Sequence, residues 1–183
     1  MATVRRGNKA AVLVVDVQVG VMDGTWESQR VVAKVGRVVE RARAAQAPIL
    51  WVQHNSADLV LGSPEWQLVP GLVPASSEVL IDKRYNSAFE GTQLETELSR
   101  IGASRLILAG AATNWCIRAT AYGALDRGYD VTLVEDAHTT MTEVDGERRI
   151  EAADIVQDLN NTMMWLEYPD RVNSIAVAEE VVF

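Results

Sequence analysis

The sequence holds a single cysteine, Cys116, among 183 residues, which excludes an internal disulfide framework and fits a reducing compartment. It holds only two histidines, His54 and His138, too few for a three-histidine metal site, and neither His-x-His nor His-Glu-x-x-His spacing occurs. The one Asp-x-His, Asp136-Ala-His138, has no second histidine near it in sequence and reads as a solvated strand end rather than a metal site. Long apolar runs are missing: the longest are strand-sized, such as 10–15, far below a membrane span. Residues 1–6 are basic, but no apolar stretch with a cleavage site follows, so no secretory signal is expected. Lysine and arginine never cluster beyond pairs and the net charge is −8, which argues against nucleic acid as a partner. Neither a Gly-x-Ser-x-Gly elbow nor a Gly-x-Gly-x-x-Gly turn nor a P-loop is present, which removes the usual serine-hydrolase and nucleotide-binding readings. A cytoplasmic protein with no membrane association is the expectation.

What is present is ordinary globular composition, 48% hydrophobic and 23% charged. One domain over 1–183 is expected. A chain of this length buries roughly 70% of the surface its unfolded form exposes, so it needs no disulfide or metal staple. Short apolar blocks alternate with amphipathic ones. Strands are predicted at 10–15, 49–53, 79–81, 105–109, 130–134 and 173–177, and helices at 29–46, 92–101, 113–127 and 146–160. Strands apolar on both faces, alternating with helices, specify an α/β fold of three layers (α/β/α) around a central mostly parallel sheet. Ligands bind such sheets at the carboxyl ends of strands, near the point where strand order reverses. That rule singles out Asp16, His54, Asn55, Lys83, 110–116 and 136–140. The segment 55–77, with Pro64, Pro70 and Pro74 among Leu59, Val60, Leu61, Trp66, Leu68 and Val69, is too long and too apolar for a free loop. It reads as a lid or an interface.

Three side chains in these places each carry a plain reading and a chemical one. Asp16 is either a surface carboxylate capping the turn after the first strand or a crevice carboxylate whose burial raises its proton affinity. Lys83 is a solvated lysine or, beside a cysteine, an ammonium that lowers the thiol pKa and steadies negative charge. Cys116 is a small buried hydrophobe or a nucleophile. It lies where a strand leaves through small residues and enters a helix with Thr113 or Asn114 as N-cap. A first helical turn favours a thiolate and offers N–H groups to an oxyanion.

The segments Asp16-Val-Gln18, Lys83-Arg-Tyr-Asn-Ser-Ala-Phe89, Gly110-Ala-Ala-Thr113-Asn-Trp-Cys116 and Leu133-Val-Glu-Asp136-Ala follow one another between about Ala10 and His138. Together they resemble the signatures of the isochorismatase-like cysteine hydrolases, which include nicotinamidases, N-carbamoylsarcosine amidohydrolase and other amidases. The resemblance implies an Asp16–Lys83–Cys116 triad. It further implies a cis peptide between Ala111 and Ala112, and an oxyanion hole made by the Ala112 and Cys116 N–H groups. A homo-oligomer, dimer or tetramer, is implied too, and the apolar segment 55–77 is a separate reason to expect one. Two departures narrow the function. Zinc-binding nicotinamidases carry an Asp-x-His pair after the second strand and a further histidine beyond it. This sequence reads Trp51-Val-Gln-His54-Asn-Ser-Ala-Asp58 there, so chemistry without metal or other cofactor is expected and nicotinamide is disfavoured as substrate. Members that open the vinyl ether of isochorismate typically lack the cysteine, so Cys116 favours C–N hydrolysis.

The expected reaction is therefore cleavage of a C–N bond in a small amide, urea or cyclic amide through a thioester on Cys116. One alternative is a vinyl-ether hydrolase using Asp16 as general acid. The other is a binding protein that keeps the pocket without a reactive thiol. Trp26, His54, Trp66, Phe89 and Trp115 are the candidate substrate contacts, although the aromatics suit a core or a subunit interface equally well.

Overall fold

Apolar strands two faces deep need helices on both sides, and the chain supplies them in alternation. The computed structural model describes Arg5 and residues 7–183; the basic stretch 1–6, read above as no secretory signal, otherwise lies outside the described residues. In chain order the elements are β1 (Lys9–Val15), α1 (Val19–Met22), α2 (Ser28–Ala44), β2 (Ile49–His54), β3 (Val79–Lys83), α3 (Leu94–Ile101) and β4 (Ala103–Ala111). A π-helical turn (Thr113–Ile117) leads into α4 (Arg118–Asp126), followed by β5 (Asp130–Thr139), β6 (Glu143–Asp145), β7 (Arg148–Ile150), α5 (Ala152–Trp165) and β8 (Asn173–Ala176).

Six strands form one parallel sheet in the order β3-β2-β1-β4-β5-β8. Side chains alternate along β1: Ala11, Leu13 and Val15 meet α3, α4 and α5, while Ala10, Val12 and Val14 meet α2. The α2 stripe Val31, Val35, Val38, Val39 and Ala42 is buried whole, at the spacing that put a helix there in the sequence. The segment 55–77 divides its apolar residues. Leu59 and Val69 are 9% exposed, Val69 packs with the α2-side core, and Val60 and Leu61 point outward at 57% and 58%. Among the described residues, no helix is long and apolar enough to cross a membrane.

The structure corrects several sequence expectations. Strands predicted to stop at 81, 109 and 134 run on to Lys83, Ala111 and Thr139. Parallel pairing continues past the apolar run there, with Lys83 opposite His54 and Gly110 opposite His138. The helix expected from 146 starts only at Ala152. Before it, Gly146 (φ +60°) turns the antiparallel hairpin β6–β7, and the Asp145-Gly146 pair is itself a hairpin turn signal. The short α1 was not anticipated.

Candidate active site

Strand order reverses beside β1: the chain runs outward from β1 through β2 to β3, then returns to β4 on the other side. Asp16 leaves β1 and the π-helical turn leaves β4, so both lie at the crevice where such sheets bind ligands. Their close approach depends on Gly110, at φ +128°, where an added Cβ would lie 1.9 Å from the carbonyl oxygen of Val15. Only glycine fits. Asp16 itself is left-handed (φ +51°), a conformation an aspartate tolerates better than bulkier residues, and its N–H donates to the Val52 carbonyl at 2.8 Å. The Ala111-Ala112 peptide is cis.

The turn carrying Cys116 is not capped as the sequence suggested. The Ala112 carbonyl accepts from both the Trp115 and Ile117 N–H groups at 3.1 Å, the two that flank Cys116 in the chain. Thr113 Oγ1 is engaged by His138 Nδ1 at 2.9 Å, and Asn114 bonds Thr140 and Glu143, so neither side chain caps the turn.

Lys83 ends β3, two strand spacings or about 10 Å from β1. Its side chain crosses the end of β2 and brings Nζ to 2.7 Å from Asp16 Oδ2, 3.2 Å from Cys116 Sγ, 3.2 Å from the Tyr85 carbonyl and 3.3 Å from His54 Nδ1. The Lys83 and Asp16 side chains are 0% and 1% exposed, so this is an ion pair withdrawn from water. An ammonium only donates, so His54 Nδ1 accepts and the ring is neutral. Burial and the neighbouring Lys83 charge hold the His54 pKa below its ordinary value, in agreement. Burial raises the Asp16 pKa, and Lys83 opposes that rise. Asp16 Oδ1 is buried without a hydrogen-bond partner, the open acceptor of the cluster among the described residues.

The tendency of a first helical turn to favour a thiolate meets opposing influences at Cys116. Burial first, and the Asp16 charge next, push the Cys116 pKa up to about 12, against the pull of Lys83. Loss of solvation and the Asp16 charge together outweigh Lys83 and favour the thiol over the thiolate.

Two polar residues proved more important to the architecture than the sequence indicated. Gln18, fully buried, donates Nε2 to the His54 carbonyl (3.0 Å) and the Trp66 carbonyl (2.8 Å) and accepts the His54 N–H on Oε1 (2.8 Å). It thereby ties the segment 55–77 to the ends of β1 and β2, a role the Asp-x-Gln spacing alone does not reveal. His138 is not the solvated strand end expected: it is 0% exposed, with Nδ1 on Thr113 and Nε2 on Asn160 Oδ1, each at 2.9 Å. It pins the Cys116 turn from behind.

Burial holds His138 down to about 4, below the 6.5 of a free imidazole. The unfolded chain therefore takes up this proton first, so the ring's contribution to stability is full above about pH 6.5 and is lost as pH falls toward 4. The difference amounts to about 3 kcal/mol. Urea unfolding across that window should show a steeper acid loss for the wild type than for His138→Gln; equal losses would contradict the assignment.

The candidate substrate contacts separate. His54 is in the cluster. Trp26 is tied to the carboxyl end of β5 by its N–H to Thr140 (2.9 Å) and its carbonyl to Thr139 Oγ1 (2.6 Å). Trp66 sits over the ends of β1 and β2 through the Gln18 and Gln53 amides, with its indole N–H buried and unpartnered among the described residues. Trp115, 56% exposed, faces an open groove of about 640 Å³ between the π-helical turn, β6–β7 and α5. Phe89 is not brought to the site. It is 6% exposed and stacks at 6.0 Å on Tyr129, at the far, amino end of β5.

Residues 10–164 match the isochorismatase domain family. A streptothricin hydrolase of Streptomyces noursei is 34% identical over 137 residues, which cover 71% of this chain and 54% of that protein. Maleamate amidohydrolase of Pseudomonas putida is 35% identical over 89 residues, 48% of this chain and 42% of that protein. The chain thus spans about half the length of these curated relatives. The crystal structure of an isochorismatase from Pseudomonas putida KT2440 superposes with a TM-score of 0.85 at 29% identity, covering 94% of this chain and 90% of that one. Parallel sheet, switch-point crevice and matched domain agree: the chain belongs to the isochorismatase family.

Proposed function

We propose that the protein is a cysteine hydrolase that cleaves the C–N bond of a small amide, urea or cyclic amide. The observation that carries this reading is the buried cluster in which one ammonium touches a carboxylate at 2.7 Å and a thiol at 3.2 Å. A thiol whose pKa is about 12 does not ionise alone at neutral pH, so it needs a base in contact, and Asp16 has an oxygen without other duty. Asp16 takes the proton of Cys116 as the sulfur attacks the substrate carbonyl carbon, and Lys83 holds both charges. The carbonyl oxygen becomes an oxyanion beside the Ala112 and Cys116 N–H groups. As the C–N bond breaks, Asp16 returns the proton to the departing nitrogen, leaving a thioester. Asp16 then draws a proton from water, whose oxygen attacks the thioester, and the proton goes back to the sulfur as the acid leaves. The amide-cleaving activity in the name of one relative supports this choice of bond.

The test is a panel of primary amides, ureas and cyclic amides assayed for ammonia release or ring opening. Expected is turnover of at least one class, with a mass increment on Cys116 in quenched samples. No turnover, together with iodoacetamide labelling of Cys116 unaffected by Asp16→Asn, would favour a binding protein.

A further inference from the structure

The Lys83 ammonium meets four acceptors with three protons: Asp16 Oδ2 at 2.7 Å, the Tyr85 carbonyl and Cys116 Sγ at 3.2 Å, and His54 Nδ1 at 3.3 Å. Two of these change during the chemistry: Asp16 loses its charge as it takes a proton, and the sulfur becomes negative as it gives that proton up. The Tyr85 carbonyl stays an acceptor, but it lies two residues along the same segment and moves with Lys83. His54 is thus the constant partner that reaches Nζ from another strand among the described residues. Its backbone is anchored at both polar groups, the N–H donating to Gln18 Oε1 at 2.8 Å and the carbonyl accepting from Gln18 Nε2 at 3.0 Å. Gln18 is fully buried two residues beyond Asp16, so the ring is held against the chain segment that carries the base.

We propose that His54 is a positioning residue, whose Nδ1 keeps the Lys83 ammonium on Asp16 and Cys116 while their charges change. Nδ1 can do this only as a bare acceptor, with the ring proton on Nε2. A proton on Nδ1 sets two cations 3.3 Å apart. The charged groups acting on the ring are Lys83 of β3 and Asp16 beyond β1, and Cys116 is the other ionisable group of the cluster. One carboxylate does not hold two cations at that spacing, so Lys83 is driven from the thiol. Burial and the Lys83 charge place this event below the 6.5 of a free imidazole. Its effect on turnover rests on the cysteine-hydrolase reading; the hold on Lys83 does not.

The chain has two histidines and three lysines, so the full protein labelled with nitrogen-15 gives few imidazole and ammonium signals, with His138→Gln to assign the rings. Expected at neutral pH is the Nε2–H tautomer of His54. On acidification below pH 6.5 the Lys83 ammonium signal should move with the His54 midpoint. In His54→Asn, whose Oδ1 stands in for Nδ1 but takes no proton there, that movement should vanish, and any that remains belongs to Asp16. With an amide the protein turns over, His54→Leu should lower kcat about 10²-fold with KM within about threefold, whereas loss of a substrate contact would raise KM. His54→Asn should regain about tenfold of that loss and lack the acid limb set by His54, with circular dichroism showing that the variants are folded. An Nδ1–H tautomer, a Lys83 signal that titrates alike in wild type and His54→Asn, or His54→Asn no faster than His54→Leu would overturn the proposal. Absence of amide turnover would count against the cysteine-hydrolase reading alone, because the two spectroscopic results decide the hold on Lys83.

Discussion

Cys116→Ala is expected to abolish amide hydrolysis while leaving the protein folded. The thiol would supply the covalent intermediate, and in enzymes whose catalytic groups act as a unit the loss of the nucleophile costs about 10⁴-fold or more in turnover. The structural cost is small by comparison. Cys116 is half-buried, its sulfur accepts one hydrogen bond from Lys83, and that ammonium keeps Asp16, His54 and the Tyr85 carbonyl. A melting temperature near that of the wild type, beside kcat reduced to background, is the expected pair of measurements. The same variant separates the two reactions open to this fold. A vinyl-ether hydrolase drawing on Asp16 as general acid would survive the loss of the sulfur. Near wild-type turnover in Cys116→Ala, with activity lost in Asp16→Asn, would therefore replace C–N cleavage by that chemistry.

How far the sequence reached depends on whether the deciding interaction is local. The strand 10–15 and the helix over 29–46 were legible because burial is written in them as a continuous apolar run and a 3.6-residue stripe. The polar ends of β3 and β5 were not, because Asp82-Lys83 and His138-Thr139 are held extended by the neighbouring strand that pairs with them, with Glu135–Ala137 spanning a register shift. The hairpin was lost for the same reason in reverse: six exposed residues show no burial periodicity, and only Asp145-Gly146 marks the turn. At the site, the resemblance carried by the order of the segments implied Asp16, Lys83 and Cys116, and these side chains lie together. A helix-end argument for the sulfur sees one turn of backbone, whereas burial in the folded chain and the Asp16 charge raise the Cys116 pKa against the pull of Lys83. Likewise the His138 partners Thr113 and Asn160 lie 25 and 22 residues away, beyond any spacing rule.

Lys83→Met should be the most destabilising single change at the site. It removes the cation and leaves Asp16 in a place that is 1% exposed, where breaking one half of a buried pair costs about 3–5 kcal/mol. Much of that cost belongs to the carboxylate left behind, and this gives a sign that packing loss cannot imitate. Burial already raises the Asp16 pKa above 3.8, and Lys83 is the chief influence lowering it. Without Lys83 the folded state binds the Asp16 proton more tightly still. A group whose folded pKa is raised favours the folded state below its unfolded pKa and disfavours it as pH rises through the folded value. The penalty of Lys83→Met relative to wild type should therefore be largest at neutral pH and shrink as the solution is acidified, with the His138 contribution common to both proteins. Adding Asp16→Asn to Lys83→Met neutralises the orphaned carboxylate and should recover part of the stability at pH 7, although not activity. Urea unfolding of the three proteins at neutral and mildly acidic pH measures this directly. A penalty independent of pH, or no recovery in the double variant, would mean that Lys83 contributes by filling space rather than by holding the charge of Asp16.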